Sequence, residues 1–420
     1  MINLKALKEN NKLIEKILLK DPLFEIDLLI DNYDNFLKHK IELEELLGEL
    51  NKLSKFDKNN PITDEKKNKS KELSLLIEEK KKEFIEIEKK FYDLYLKCGN
   101  IIFEDVPAGG KENNLVVKIF GERTSFDFTP KNHADLFSDN NFVNFNLGTK
   151  ICKSGFIVYE DKVALILYKL CMIFLQINRK NGFKVIIPPS IANEETLTAA
   201  SNLPRFQEDL FKIEQEKLYL IPTSEVSIAY IHSNEILDEL SLPLRYTAWT
   251  KCFRKEAGGY GSNERGLIRI HEFDKVEIFS FTKEEDSEKE HLFMLSCVEE
   301  ILQKLQLHYR ISLLAAQDCS FASAKTYDFE VWLPGQNQYR EVSSVSNCTD
   351  YQSRRSKTRY RDKNDNSIKL VHTLNGSSLA IPRIMVALFE KYQNSNSTIN
   401  FDLIFDLLNK IEKDICDKIN

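Results

Sequence analysis

The sequence predicts an α+β fold, an antiparallel sheet flanked by helices and preceded by an antiparallel coiled-coil hairpin. Three observations carry this expectation. Two N-terminal stretches repeat apolar residues in alternating steps of four and three, the spacing of a coiled-coil seam. Beyond them, extended and helical runs alternate without the regularity of parallel βαβ units. Trp249–Ser280 reads as two short strands joined by a loop holding Gly258, Gly259, Gly261 and Gly266, a hairpin with a long connection.

Taken in order, residues 1–28 form a small helical lead-in. The first seam runs Leu29, Tyr33, Phe36, Lys40, Leu43, Leu47, Leu50, and the second Leu73, Ile77, Lys80, Phe84, Ile87, Phe91, Leu94. Between them DKNNPITD (Asp57–Asp64) ends one helix at Asn60-Pro61 and offers Thr63 or Asp64 to cap the next. Each arm then reaches on the order of 40–45 Å. Its tip, Lys52 to Lys71, carries seven lysines (52, 55, 58, 66, 67, 69, 71) against Asp57, Asp64 and Glu65. Such an end can grip an RNA backbone through phosphates, or simply keep a helix end soluble.

Asn100–Asn114 (NIIFEDVPAGGKENN) is a linker rich in Pro, Gly and Asn, where the heptads stop. The expected division is an N-terminal domain 1–105, with its helical arm at about 29–97, and a second domain 106–420. Glu160–Asn178 is an apolar helix followed by Gly182 and the strand-like Val185–Pro189. Leu218–Ser224, Phe329–Leu333 and Tyr339–Ser343 are further extended runs. Asn375–Arg383 opens a helical run, IMVALFEKYQ, with Pro382 in its first turn. Asn400–Asn420 reads as an amphipathic helix.

Composition narrows the function. The formal charge is −6, so nucleic-acid contact has to come from a local patch. Eight cysteines without a C-x-x-C pair suit a reducing cytosol. The N-terminus lacks a secretory apolar core, and Val163–Ile177 is too short to span a bilayer, so the expectation is a cytoplasmic protein with no membrane contact. The seven histidines are dispersed, and no P-loop or G-x-S-x-G appears. Chemistry by positioning and charge stabilisation of a phosphate-bearing substrate fits what remains.

Strand alternation places Arg254 with Glu256, and Arg269, His271, Phe273, Lys275 and Glu277 on one face. The opposite face carries Ile270, Val276 and Ile278, broken by Glu272 and Asp274. Arginines fork onto phosphate or carboxylate, a ring can stack on a base, and glutamates can hold an amine or hydroxyl. A solvated face of paired charges is the plainer alternative. Thr223-Ser224-Glu225 offers a hydroxyl and a carboxylate to an ammonium, or a helix cap. Glu341 and Ser344, three apart, can hold a hard cation through oxygen, or mark a turn. Arg383 at a helix start opposes the macrodipole, which favours an anionic ligand there.

These segments together resemble the seryl-tRNA synthetases, a family of class II aminoacyl-tRNA synthetases. GFKVIIPP is similar to the family's first signature motif, FRKEAG…RGLIRIHEFDKVE to the second and LVHTLNGSSLAIPR to the third. LPRFQEDLFKI, LYLIPTSEV, AKTYDFEVWLPGQNQYREVSSVSNCTDYQSRR and the arm also match, so the likeness runs almost end to end. It departs at Gly376-Ser377-Ser378, at Pro382-Arg383 and at Ser224, where alanine is commoner.

The resemblance implies a serine–tRNA ligase, active as a homodimer, that makes seryl-adenylate from L-serine and ATP with Mg²⁺. It then loads tRNA(Ser), and possible selenocysteine tRNA charging comes with the family. Arg254, Arg269 and Arg383 would be catalytic. Thr223, Ser224, Glu225, Arg254, Glu277, Asn375 and Ser377 would bind serine. Arg254, Lys255, Glu256, Arg269, Phe273, Glu341, Val342, Ser343, Ser344 and Arg383 would bind ATP, with Glu341 and Ser344 on the metal. Phe273 would stack under adenine and Arg383 cover it. A paralogue that loads a carrier protein would lack the arm. A non-catalytic coiled-coil protein would leave the arginines and acids idle.

Overall fold

A computed structural model describes residues 1–54, 64–138, 142–256 and 266–417. The chain divides into two compact units, Met1–Gly99 and Asn100–Asn420. The division falls at the start of the expected linker, because Asn100 is already anchored in the second unit. Its buried amide donates to the carbonyls of Ala322 (2.8 Å) and Cys348 (2.9 Å).

In the first unit, Leu4–Glu9 and Asn11–Lys20 are short helices capped by the side chains of Asn3 and Asn10. Ile26–Ser54 and Asp64–Tyr95 are the long helices. They run antiparallel: Phe36 stacks on Phe84 and Phe91, Tyr33 meets Phe91, and Lys80 reaches Glu42 at 3.2 Å. The expected seam fails at Lys40, which is exposed, while the half-buried His39 faces Glu83 instead. A helix of 3.6 residues per turn drifts against a strict heptad, so the seam shifts by a residue. The expected break at 57–63, with lysines 55 and 58, lies outside the described residues. Of the other tip lysines, Lys52, Lys67, Lys69 and Lys71 are exposed.

The second unit is built on an eight-stranded sheet among the described residues. In chain order its strands are β1 (Leu115–Phe120), β2 (Lys184–Val185), β3 (Leu244–Phe253) and β4 (Glu272–Thr282), then β5 (Tyr309–Leu313), β6 (Lys325–Leu333), β7 (Gln338–Asn347) and β8 (His372–Ala380). Their spatial order is β1-β5-β6-β7-β8-β4-β3-β2, antiparallel throughout except for the short β2–β3 pair. Val276, Ile278, Phe329, Val331, Val345 and Leu374 share one core with four helices, Asp161–Lys180, Ser287–Lys304, Ile381–Lys391 and Phe401–Cys416. The last helix answers to the C-terminal amphipathic run and buries Ile404, Leu408, Ile411 and Ile415. Among the described residues no helix is long and apolar enough to cross a membrane. All eight cysteines are free thiols.

Three elements differ from expectation. Of Val185–Pro189 only Val185 is in a strand, since Pro188 and Pro189 have no amide hydrogen to give a ladder. The two hairpin strands are shifted away from the connecting loop: β3 begins before Trp249 and stops at Phe253, and β4 starts at Glu272 and runs past Ser280 to Thr282, so Arg254, Glu256, Arg269 and His271 lie just outside them. Asn375–Ala380 does not open a helix but completes the central strand β8, and the helix starts at Ile381. Gly376 and three polar neighbours read locally as a turn. In the sheet Gly376 lets β8 approach β7, and a Cβ there would meet Val345 Cγ2 at 3.1 Å.

Candidate active site

The face of the sheet away from the helical core carries a cleft of about 270 Å³ lined by Arg254, Glu256, Arg269, Phe273, Lys275, Glu341, Val342, Ser377 and Arg383, among others. Its floor follows from strand register. Phe273, Lys275 and Glu277 alternate along β4 and point to the cleft side, opposite Cys252, Thr250 and Ala248 of β3. The reverse side of the same strand holds Val276 and Ile278 in the core. Asp274 is also buried there, accepting from Trp249 Nε1 (2.7 Å) and Lys251 Nζ (2.8 Å), so its break in the apolar face is neutralised.

Two irregularities complete the floor. In a regular strand Glu341 and Ser344 would face opposite ways. In β7 Phe329 pairs with Ser343 but the next residue, Glu330, pairs with Glu341, so Val342 is an extra residue. That bulge turns Glu341 and Ser344 to one side. Likewise Lys275 pairs with Ala380 and Glu277 with Ser377, so β8 gains one residue between its partners. Ser377 and Ala380 therefore share the cleft side, and the chain leaves the strand directly into the helix that carries Arg383.

Charges fall into two groups. In the first, Lys275 Nζ lies 2.6 Å from Glu277 Oε2 and donates to Thr223 Oγ1 at 2.7 Å, and Thr223 Oγ1 donates to Glu277 Oε2 at 3.2 Å. Thr223 is also the cap of the helix Ser224–Tyr230, accepting from Glu225 N. Glu225 accepts from Gln352 Nε2 (2.8 Å) and Asn375 Nδ2 (3.0 Å). Burial, reinforced by the Glu277 carboxylate, pushes the Glu225 carboxyl up to about 7.

The second group surrounds Phe273. The Arg254 guanidinium sits 5.3 Å from that ring's centroid, Arg269 pairs with Glu256 at 2.9 Å, and Arg383 reaches Glu341 at 3.3 Å. Ser344 Oγ donates to Asp328 Oδ1 at 2.5 Å. Burial and the Glu341 carboxylate hold the Asp328 carboxyl well above the usual range. No group of three or more His, Cys, Asp or Glu side chains arranged for a metal occurs among the described residues. An oxygen surplus of Glu341, Ser344 and Asp328 nonetheless suits a hard divalent cation that takes its remaining ligands from phosphate and water.

Not every expected residue reaches the cleft. The Lys255 side chain is exposed and lies toward Phe211, with its amide bonded to Asp209 O. Ser224 is fully buried at the start of its helix, and its hydroxyl has no hydrogen-bond partner among the described residues. Ser343 is buried, with Oγ donating to Ser377 O at 2.5 Å. His271, placed on the ligand face by simple alternation, instead packs between Phe156 and Phe211, its Nδ1 at 3.0 Å from Arg254 O. It precedes β4, so strand alternation does not reach it. Gly258, Gly259 and Gly261 lie outside the described residues. Lys275, Gln352 and Asp328 were given no role by the sequence. For Lys275 the signal was present, because it lies between Phe273 and Glu277 in the strand period.

Comparison with known proteins follows the same outline. The family model described as tRNA synthetase class II core domain (G, H, P, S and T) matches residues 210–392. The chain is 48% identical over 301 residues to a serine–tRNA ligase of Nautilia profundicola, covering 71% of this chain and 72% of the relative. It is 39% identical over 414 residues to one from Campylobacter fetus, covering 95% and 98%. A crystal structure of seryl-tRNA synthetase from Pyrococcus horikoshii complexed with ATP superposes with a TM-score of 0.86 at 30% identity, covering 97% of this chain and 98% of that one. A cytoplasmic serine–tRNA ligase from Naegleria fowleri in complex with AMP gives 0.76 at 27%, covering 91% and 90%.

Proposed function

The chain belongs to the seryl-tRNA synthetases, class II aminoacyl-tRNA ligases that use ATP and Mg²⁺, and from that premise we propose how its cleft charges tRNA with serine. One observation carries the reading: a buried Thr223–Lys275–Glu277 cluster adjoins a cleft that joins arginines to an aromatic ring. A buried cluster of a hydroxyl, an ammonium and carboxylates suits serine, and the arginine-lined wall suits a nucleotide.

Serine enters with its ammonium toward the carboxylates of Glu225 and Glu277 and its hydroxyl among Thr223, Ser377 and Asn375. Its carboxylate stays beside Arg254 and attacks the α-phosphorus in line as pyrophosphate leaves. Adenine lies on Phe273, with Arg383 over its other face and Glu256 at its edge. Arg254 and Arg269 stabilise charge growing on the phosphate oxygens. Glu341 and Ser344 would hold Mg²⁺, which supplies charge neutralisation at the phosphates when bound. A ribose hydroxyl at the tRNA 3′ end then takes the seryl group from the anhydride. Alanine is rejected because it leaves the hydroxyl partners unpaired. Val342 and Ser343 support this wall through β7 backbone, and Lys255 through its main chain.

Residues 1–105 serve tRNA binding, with the arm contacting tRNA(Ser) through the exposed Lys67, Lys69 and Lys71. Residues 106–420 are the catalytic domain. The enzyme works in the cytoplasm as a homodimer. Support for the dimer is an apolar stripe on the helix Asp161–Lys180, where Leu165, Tyr168 and Met172 are about half exposed, and Ile187, 91% exposed, after β2.

The test is serine-dependent ATP–pyrophosphate exchange followed by charging of total tRNA. Both activities are expected. Absence of exchange sinks the reading, and exchange without charging favours a carrier-loading paralogue.

A further inference from the structure

Behind Leu267 of the cleft lining, His133 forms a buried junction that the activation chemistry does not use. It is the first residue of the short helix His133–Ser138 and is 2% exposed. Its Nε2 accepts from Leu267 N at 3.3 Å, so that nitrogen carries no proton. The proton then sits on Nδ1, 3.1 Å from Glu390 Oε1, which also accepts from His133 N (3.0 Å) and Gln336 Nε2 (2.8 Å). Gln336 Nε2 lies 3.2 Å from Nδ1 as well. The other carboxylate oxygen accepts from Gly335 N at 2.9 Å.

Glu390 is oddly placed for a purely structural residue. It is fully buried in the last turn of the helix Ile381–Lys391, where the macrodipole disfavours a negative charge. What it gains is a set of donors from two other segments. Two glycines show how closely these segments press together. A Cβ on Gly266 (φ +81°) would sit 2.3 Å from His133 Nε2, and one on Gly335 would sit 2.0 Å from Lys131 O.

The junction thus ties two parts of the cleft wall to each other and to the β6–β7 turn. The helix holding Glu390 carries Arg383 in its first turn, Gly335 and Gln336 form the β6–β7 turn, and Leu267 precedes Ile268 and Arg269; Arg383, Leu267, Ile268 and Arg269 line the cleft. We infer that His133, locked by Glu390, is a positioning residue that sets the nucleotide half of the site by holding the Gly266–Arg269 segment. This rests on reading the cleft as the ATP site. Among the described residues, the side-chain hydrogen bonds and ion pairs of Thr223, Glu225 and Glu277, the proposed serine partners, run to one another, Lys275, Gln352 and Asn375 and do not reach the junction.

The experiment compares full-length wild type, His133→Leu and His133→Gln. Leucine removes the acceptor at similar bulk, whereas glutamine's amide oxygen can replace Nε2. Exchange by the wild-type enzyme tests the underlying reading separately. In His133→Leu, KM for ATP and the dissociation constant of ATP measured without serine should rise roughly tenfold, the worth of one hydrogen bond, while KM for serine moves less than about twofold. His133→Gln should return ATP binding to within about threefold of wild type. Unchanged ATP binding in a folded His133→Leu, equal rises in both KM values, or no rescue by glutamine would overturn the inference. Glu390→Gln carries the same expectation for ATP against serine, and decides the matter if His133→Leu does not fold.

Discussion

Glu225 is the residue whose chemistry is most exposed to a simple measurement. Its carboxyl, raised to about 7, has to ionise before it can face a substrate ammonium. For kcat/KM on serine, the expected profile falls about tenfold per pH unit below that value and flattens above it. Glu225→Gln should abolish the slope, and a flat wild-type profile from pH 6 to 8 would remove Glu225 from the pocket. The same shift has a sign for stability. The unfolded chain releases this proton near the ordinary carboxyl value of 4.5, the folded one near 7, so the contribution is full below 4.5 and is lost as pH rises through 7. Little of this was visible beforehand. Thr223 and Glu225 were readable as a hydroxyl and a carboxylate two apart, yet the Lys275 ammonium between Thr223 and Glu277 depends on a register that no local pattern contains.

At the scale of elements, the strand β8 and the arm helices make opposite points. β8 is central to the sheet but carries Asn375-Gly376-Ser377-Ser378, poor strand formers, because tight approach to β7 matters more there than propensity. Gly376→Val should therefore overpack against Val345 and Ile278 and cost about 1–3 kcal/mol, read as a Tm lowered by several degrees. An unchanged Tm would mean that the close approach is not needed. The arm helices are the reverse case, because a seam of Tyr33, Phe36, Phe84 and Phe91 is carried by spacing alone. Deleting Leu29–Leu94 is expected to spare exchange and abolish tRNA charging. Charging that survives would take tRNA recognition away from the arm.

For the whole molecule, the stripe of Leu165, Tyr168 and Met172 on a helix whose other side is core is the surface on which the proposed dimer is tested. Tyr168→Glu with Met172→Glu should shift the mass seen by light scattering from two chains to one, and a dimer that persists would place the interface elsewhere. Fold class, coiled-coil hairpin, family and most of the charged residues lining the candidate cleft were readable from the sequence by itself, because heptads, strand alternation and ordered motifs are local properties of the chain. Tertiary structure alone decided which of them meet. The bulge at Val342 turns Glu341 and Ser344 to one side, the extra residue in β8 does the same for Ser377 and Ala380, and His271 leaves the ligand face for Phe156 and Phe211. His133 and Glu390 are 257 residues apart, and only packing brings an imidazole and a carboxylate together beneath Leu267. Side-chain period is local, but the register between strands and the closure of distant segments are set by what the whole core can bury.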